Sequence, residues 1–198
     1  MIAILDYGSG NLRSALRAFE NTGVEVKVTN NSTVIKESAG LVIPGVGAFG
    51  ACMEQLEAVG GGEIVRNFYQ SGKAIFGICV GMQILFSESN EKGLYKGLGI
   101  FDSKIRKLRA PVLPQIGWNS VRPGIETKLF KGVEESSFYF VHSYAAHEGI
   151  PGSINTVTNY EENFLAAIEY ENVSATQFHP EKSGSAGLRL IKNWVSRL

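Results

Sequence analysis

The 198-residue chain has only two cysteines, Cys52 and Cys79, and no excess charge, since nineteen Lys and Arg balance nineteen Asp and Glu. Two thiols are too few for a disulfide-stapled secreted domain. Zero net charge argues against nucleic-acid binding through bulk phosphate neutralisation and against a polybasic membrane-surface role. No window approaches the ~20 consecutive apolar residues of a membrane span. The opening Met1-Ile2-Ala3-Ile4-Leu5-Asp6 lacks the basic n-region of a secretory leader. The three histidines and two cysteines show no metal-ligand spacing, so neither a metal nor a cofactor is expected. There is no repeat and no Pro/Ser-rich linker. These absences lead us to expect one cytoplasmic domain over residues 1–198 with reduced thiols.

Hydrophobic residues make up 44%, enough for a sizeable core. Glycine is in excess, 23 of 198, against a usual share of about 7%. The glycines are not periodic, which excludes collagen.

The first half alternates strand and helix. Residues 2–6, 24–28, 40–43 and 74–78 read as short strands. A helix begins at an Asn11 cap, places Leu12, Ala15, Leu16 and Phe19 on one face and closes at Gly23. Residues 52–58 and 64–69 read as helices broken by Gly60-Gly61-Gly62, and 82–87 as a further helix. The second half is strand-like at 99–108, 119–122, 137–141, 154–158, 164–170 and 173–178, with a tight turn at Glu171-Asn172. A helix over 188–195 closes the chain. The pattern predicts an α/β fold, a doubly wound mostly parallel sheet with an antiparallel extension.

Gly77-Ile78-Cys79-Val80-Gly81 follows an apolar strand and precedes a helix. It is a nucleophile-elbow pattern with Cys in the reactive position. The turn is sharp, so residues two before and two after the nucleophile must be small. The helix N-terminus favours thiolate at Cys79, and the Val80 amide is placed for an oxyanion. Cys52 has no preceding strand and no following glycine, and reads as a packing cysteine. A thiol nucleophile needs a base and an orienting group. His179 and Glu181, in Gln177-Phe178-His179-Pro180-Glu181, fit if the segment is extended, because alternate residues share a side. His142 is the second choice as base, lacking a nearby carboxylate. His147 reads as a solvated loop residue. The run Pro44-Gly45-Val46-Gly47 has no phosphate-loop pattern and suits a second source of oxyanion amides.

These blocks resemble the class I, triad-type glutamine amidotransferases over nearly the whole chain. The flavodoxin-like fold of that class is the expectation. Asp6-Tyr7-Gly8-Ser9-Gly10-Asn11, Gly117-Trp118-Asn119 and Lys182-Ser183-Gly184 narrow the resemblance to the glutaminase subunits of imidazole glycerol-phosphate synthases. The resemblance implies a Cys79 nucleophile, a His179 base and a Glu181 orienter. It implies an oxyanion hole from Val46, Gly47 and Val80, completed by a peptide flip at Val46-Gly47. It implies L-glutamine held by Gln83, Glu91, Ser143 and Tyr144, with Glu88 a rival to Glu91. Asn11, Trp118 and Lys182 would face a separate synthase chain, a (β/α)₈ barrel, in a heterodimer. Val80 replaces the usual Leu, and Gln115-Ile116 replaces the more frequent His-Met. A glutaminase for sugar modification or vitamin synthesis, and a non-catalytic regulatory partner, remain alternatives.

Overall fold

A computed structural model describes residues 1–198. In chain order the elements are β1 (Ile2–Leu5), α1 (Leu12–Glu20), β2 (Val26–Thr29), α2 (Ser32–Glu37), β3 (Gly40–Ile43), α3 (Phe49–Ala58), α4 (Gly61–Gln70), β4 (Ala74–Ile78), α5 (Val80–Gln83) and β5 (Phe86–Ser89). They continue with β6 (Tyr95–Lys96), β7 (Phe101–Lys107), β8 (Gln115–Ser120), β9 (Ser137–His142), β10 (Tyr144–Ala146), β11 (Ile154–Tyr160), β12 (Glu162–Tyr170), β13 (Val173–Thr176), a 3₁₀ turn (Pro180–Lys182) and α6 (Gly184–Val195).

The main sheet has the order β11-β12-β13-β4-β3-β1-β2. Strands β2, β1, β3, β4 and β13 are parallel; β12 and β11 extend them antiparallel. Strand β1 lies between β2 and β3, so the connections run first one way and then the other across the sheet. Right-handed crossovers then put the helices on both faces. This is the doubly wound, mostly parallel sheet expected from the sequence, and the parallel order is flavodoxin-like. The central strands β1 and β3 are buried at every residue, as a sheet covered on both faces requires.

Trp194 of α6 packs edge-on against Phe19 of α1 and tilted against Phe76 of β4. A second aromatic group, Phe130, Phe138, Phe140, Phe164 and Phe178, joins the β8–β9 ribbon to the sheet. Phe138 and Phe178 stack at 4.3 Å, which anchors the chain one residue before His179. No helix is long and apolar enough to cross a membrane.

Four local readings change. Residues 82–87 are not a helix: α5 stops after one turn, and Phe86 begins β5, which pairs in parallel with the distant β7. The apolar run Ile84-Leu85-Phe86 is ambiguous by itself, and long-range pairing decides it. Helix α2 falls where no element is expected, capped by the Asn31 side chain on Thr33 and Val34. The strand expected at 119–122 is β8, lying earlier because its register with β9 runs from Gln115 opposite His142 to Ser120 opposite Ser137. The tract from His179 to Glu181 is not extended. Strand β13 ends at Thr176, and Pro180 opens a 3₁₀ turn.

Candidate active site

In sheets of this order, ligands bind at the carboxyl ends of the strands, where the strand order reverses. The loops leaving those ends carry Tyr7 to Ser9 after β1, Pro44 to Gly47 after β3, Cys79 after β4 and His179 after β13. A cavity of about 150 Å³ there is lined by Val46, Gly47, Cys79, Val80, Gln83, Glu91, Val141, His142, Ser143, Tyr144 and His179. All four residues assigned to glutamine and all three assigned to the oxyanion hole line this space. A larger open cleft at the amino ends of β4 and β13, lined by Tyr69, Glu171, Asn172, Trp194 and Arg197, contains no nucleophile.

Cys79 sits at φ 55° and ψ −112°, a conformation that side chains other than glycine rarely adopt. Its amide donates to Thr176 O at 2.8 Å, tying the elbow to β13. The flanking glycines are required sterically. A Cβ on Gly81 would lie 1.9 Å from the Ile43 carbonyl oxygen, and one on Gly77 would press on Gly81 and Met82 backbone at 3.0 Å. Gly45 is equally constrained, since a Cβ there would fall 2.5 Å from the Gly81 amide.

His179 is buried. Its Nδ1 lies 2.7 Å from Glu181 Oε1, and its Nε2 has no hydrogen-bond partner. The 3₁₀ turn still carries Glu181 back to the ring that precedes it by two residues. Burial lowers the affinity of His179 for a proton, but Cys79 and Glu181 together outweigh it and raise the pKa to about 10. The ring is fixed from behind: its amide donates to Tyr139 O at 2.9 Å, and Ser183 Oγ donates to its carbonyl at 2.7 Å. Ser183 stands in the Lys182-Ser183-Gly184 block, but nothing in its spacing signals this support.

His142 is near the cavity but committed elsewhere. Its Nδ1 lies 2.9 Å from the Tyr144 carbonyl and its Nε2 3.0 Å from Gln115 Oε1. Burial pulls its pKa down to about 4, partly offset by the Tyr144 carbonyl. It therefore makes a poor base. His147 is not a solvated loop residue. It is mostly buried and its Nε2 meets Glu162 Oε1 at 3.2 Å.

Glu91 and its rival are separated. Glu91 lines the cavity and accepts the Phe49 amide at 2.8 Å, while Glu88 of β5 pairs with Lys104 of the adjoining β7. Gln83 spends its amide nitrogen on Tyr144 O at 2.8 Å and Gln177 Oε1 at 3.0 Å, so it holds the cavity wall in place.

Two of the three amides expected at the oxyanion hole are engaged elsewhere. The Val80 amide donates to Gly45 O at 3.3 Å, and the Val46 amide donates to Ser9 Oγ at 3.4 Å. The carbonyl and amide so engaged belong to the Gly45-Val46 peptide, the one before the Val46-Gly47 peptide expected to flip. Nor is Cys52 a packing residue alone: its Sγ contacts Ser9 Oγ at 3.1 Å and Val46 O at 3.3 Å. Neither contact is visible from sequence spacing.

Trp118 is 59% exposed on the outer face of the β8–β9 ribbon, edge-on to Tyr139. Ile116 shares that face and is 63% exposed. Lys182 ends the 3₁₀ turn that carries Glu181, and α1, which Asn11 caps through its side chain, packs on that turn. The three residues expected to face a partner thus lie on the 3₁₀ turn or on elements packed around it, although Asn11 already uses its side-chain oxygen locally.

A family model described as glutamine amidotransferase class-I matches residues 3–198. The chain is 47% identical over 201 residues to "Imidazole glycerol phosphate synthase subunit HisH" of Mycolicibacterium paratuberculosis, covering all of this chain and 98% of the relative. It is 45% identical over 207 residues to the protein of the same name from Corynebacterium diphtheriae, covering all of this chain and 99% of the relative. Among solved structures, a glutamine amidotransferase superposes with a TM-score of 0.78 at 17% identity, covering all of this chain and 99% of that one. PurLQS from Thermotoga maritima gives 0.75 at 17%, covering 99% of this chain and 97% of that one. The two structures support the fold, and the family match together with the full-length relatives supports the finer assignment: this chain belongs to the class I glutamine amidotransferases.

Proposed function

We propose that the chain, acting as one unit over residues 1–198, is the glutaminase subunit of an imidazole glycerol phosphate synthase in histidine biosynthesis. The observation that carries this reading is one small cavity bringing together Cys79, His179 and Glu91, in a chain 47% identical across its length to a subunit of that name. Cys79 Sγ attacks the side-chain amide carbon of glutamine while His179 takes the thiol proton. His179 returns that proton to the amide nitrogen, the C–N bond breaks, and ammonia leaves a glutamyl thioester. Water, giving its proton to His179, then hydrolyses the thioester to glutamate and free thiol. Glu181 holds the imidazole in register, and amides of Val80 and the Val46-Gly47 loop face the oxyanion. Gln83, Glu91, Ser143 and Tyr144 bound the end that receives the amino-acid head of glutamine.

Ammonia released to water at neutral pH is protonated and stops being a nucleophile. A glutaminase is therefore useful only when coupled to its acceptor through a passage that excludes bulk water. In this reading a separate synthase chain, a (β/α)₈ barrel, docks over the site. It joins the ammonia to a phosphorylated ribulosyl aminoimidazole-carboxamide, giving imidazole glycerol phosphate and an aminoimidazole-carboxamide ribotide.

Co-purification from the native source should recover that synthase chain, and glutamine hydrolysis should rise when its acceptor is added. Recovery of a sugar- or vitamin-pathway synthase instead would overturn the assignment. Trp118 is the large exposed aromatic on this face, the residue type that dominates interface energetics. Trp118→Ala should weaken the heterodimer by about 2 kcal/mol, roughly thirtyfold in Kd. Titration calorimetry against the synthase chain measures this, and an unchanged Kd would place the docking face elsewhere.

A further inference from the structure

Gln177 is fully buried directly after β13, where an uncharged polar side chain needs partners. Its backbone amide donates to Ala166 O of β12 at 2.8 Å, which fixes the residue beside the elbow. Its side chain bridges two residues that line the cavity. Oε1 accepts from Gln83 Nε2 at 3.0 Å, and Nε2 donates to Cys79 Sγ at 3.8 Å. The polarity of this chain of bonds is set from its far end. Gln83 Nε2 also donates to the Tyr144 carbonyl at 2.8 Å, and a main-chain carbonyl can only accept. Both hydrogens of the Gln83 amide nitrogen are thereby committed, one to Tyr144 and one to Gln177. Gln177 must then turn its oxygen to Gln83 and its N–H to the sulfur.

We propose that Gln177 is a further catalytic residue: its side-chain N–H stabilises the Cys79 thiolate, and Gln83 with the Tyr144 carbonyl are the positioning groups that aim it. This rests on the function proposed above. An N–H directed at sulfur favours the charged form over the thiol. Cys79 is buried, so water supplies little of that stabilisation and a fixed donor counts for more. His179 can serve the thiolate in this way only while it carries the proton. The amide of Gln177 does not titrate, so it donates to the same atom whichever group holds the proton. A turned amide would do the opposite, because its oxygen would accept S–H and favour the thiol. The hydrogen bonds from Gln83 exclude that orientation.

The test follows alkylation of Cys79 by iodoacetamide in the full chain from about pH 5 to about pH 10. The labelled peptide is identified by mass spectrometry, so that Cys52 is counted separately. Wild type is compared with Gln177→Met, which is similar in volume and has no N–H. On the acid limb, where only part of the thiol is ionised, Gln177→Met should label about threefold to tenfold more slowly. At the alkaline plateau it should match or slightly exceed wild type, because a less stabilised thiolate is the stronger nucleophile. The titratable groups around Cys79 are His179 with Glu181 after β13, His142 at the end of β9, Glu91 after β5, Tyr7 after β1 and Cys52 on α3. All of them are present in both proteins, so the difference between the profiles belongs to Gln177. A side chain that only fills space would slow labelling equally at every pH. Equal slowing on both limbs therefore overturns the proposal, as does an acid-limb rate at or above wild type. If Gln177→Met does not fold, Gln83→Met decides: it frees the Gln177 amide to turn and should slow the acid limb in the same direction, and an unchanged acid limb overturns the proposal. Labelling needs no glutamine, so its failure leaves the proposed function standing. Hydrolysis that survives Cys79→Ala would instead refute that function.

Discussion

Cys79→Ala should lose glutamine-dependent synthesis by roughly 10⁴-fold or more while the complex still makes product from added ammonium. The thioester cannot form without the sulfur, and nothing else in the cavity can replace it. Gln177 Nε2, 3.8 Å from Sγ, is an amide nitrogen, and His142 has both ring nitrogens engaged. Docking should not need the thiol, because Cys79 is buried, whereas the exposed apolar residues near the site are Val46 on the loop after β3 and Ile116 and Trp118 on the β8–β9 ribbon. Parallel assays with glutamine and with ammonium as nitrogen source separate the two functions. Loss of both activities would mean that Cys79 serves assembly. The elbow adds a stability signature. A non-glycine residue held at φ 55° stores strain of order 1–3 kcal/mol, and glycine relieves it. Cys79→Gly should therefore unfold at a higher temperature than Cys79→Ala, a gap of about 1 kcal/mol in a melting experiment. Such a gap would show that the nucleophile's geometry is maintained against the backbone's own preference.

Legibility in the sequence follows how local the controlling interaction is. Strands β3 and β4 have the bounds that their apolar runs suggest, because a central parallel strand is specified by burial on both faces alone. The elbow is legible for the same reason, since the crowding that demands Gly77 and Gly81 comes mainly from the elbow itself and the strand beside it. Strand β8 is less legible: its position depends on register against β9, about twenty residues later, and its alternation is partly masked by the exposed Ile116 and Trp118. Strand β5 depends on β7 in the same way. The contacts among Ser9, Val46 and Cys52 are the least legible feature. Ser9, Val46 and Cys52 come from three loops or helix starts that only the order β1 beside β3 brings together. Glu181 is an intermediate case. The spacing to His179 suggests a pair, but the pair is made by a 3₁₀ turn rather than by strand alternation, so the residues are right for a geometric reason that differs from the expected one.

Glu181→Gln should reduce kcat for glutamine hydrolysis by roughly 10²–10⁴-fold and shift its alkaline limb to lower pH. Three influences act on His179: burial, which lowers its pKa, and Cys79 and Glu181, which raise it to about 10. Removing the carboxylate leaves burial opposed by Cys79 alone, so the pKa must fall. His179 has to be protonated when ammonia departs, since it supplies the proton to the leaving nitrogen. In wild type that form survives until pH passes about 10. In the variant it is lost earlier. A second loss is orientational: an amide can present its N–H to Nδ1 and stabilise the tautomer that directs a proton, rather than a lone pair, at the thiol. The same shift appears in stability. A group whose folded pKa exceeds its unfolded value stabilises fully below the unfolded pKa, near 6.5, and loses that contribution as pH rises through the folded one. Wild type should thus lose stability between about pH 6.5 and 10 through this group, and Glu181→Gln should lose less over that window. Rate profiles of kcat and melting temperatures taken across the same buffers test both halves. An alkaline limb that does not move would mean that Glu181 contributes packing beside His179 and not charge.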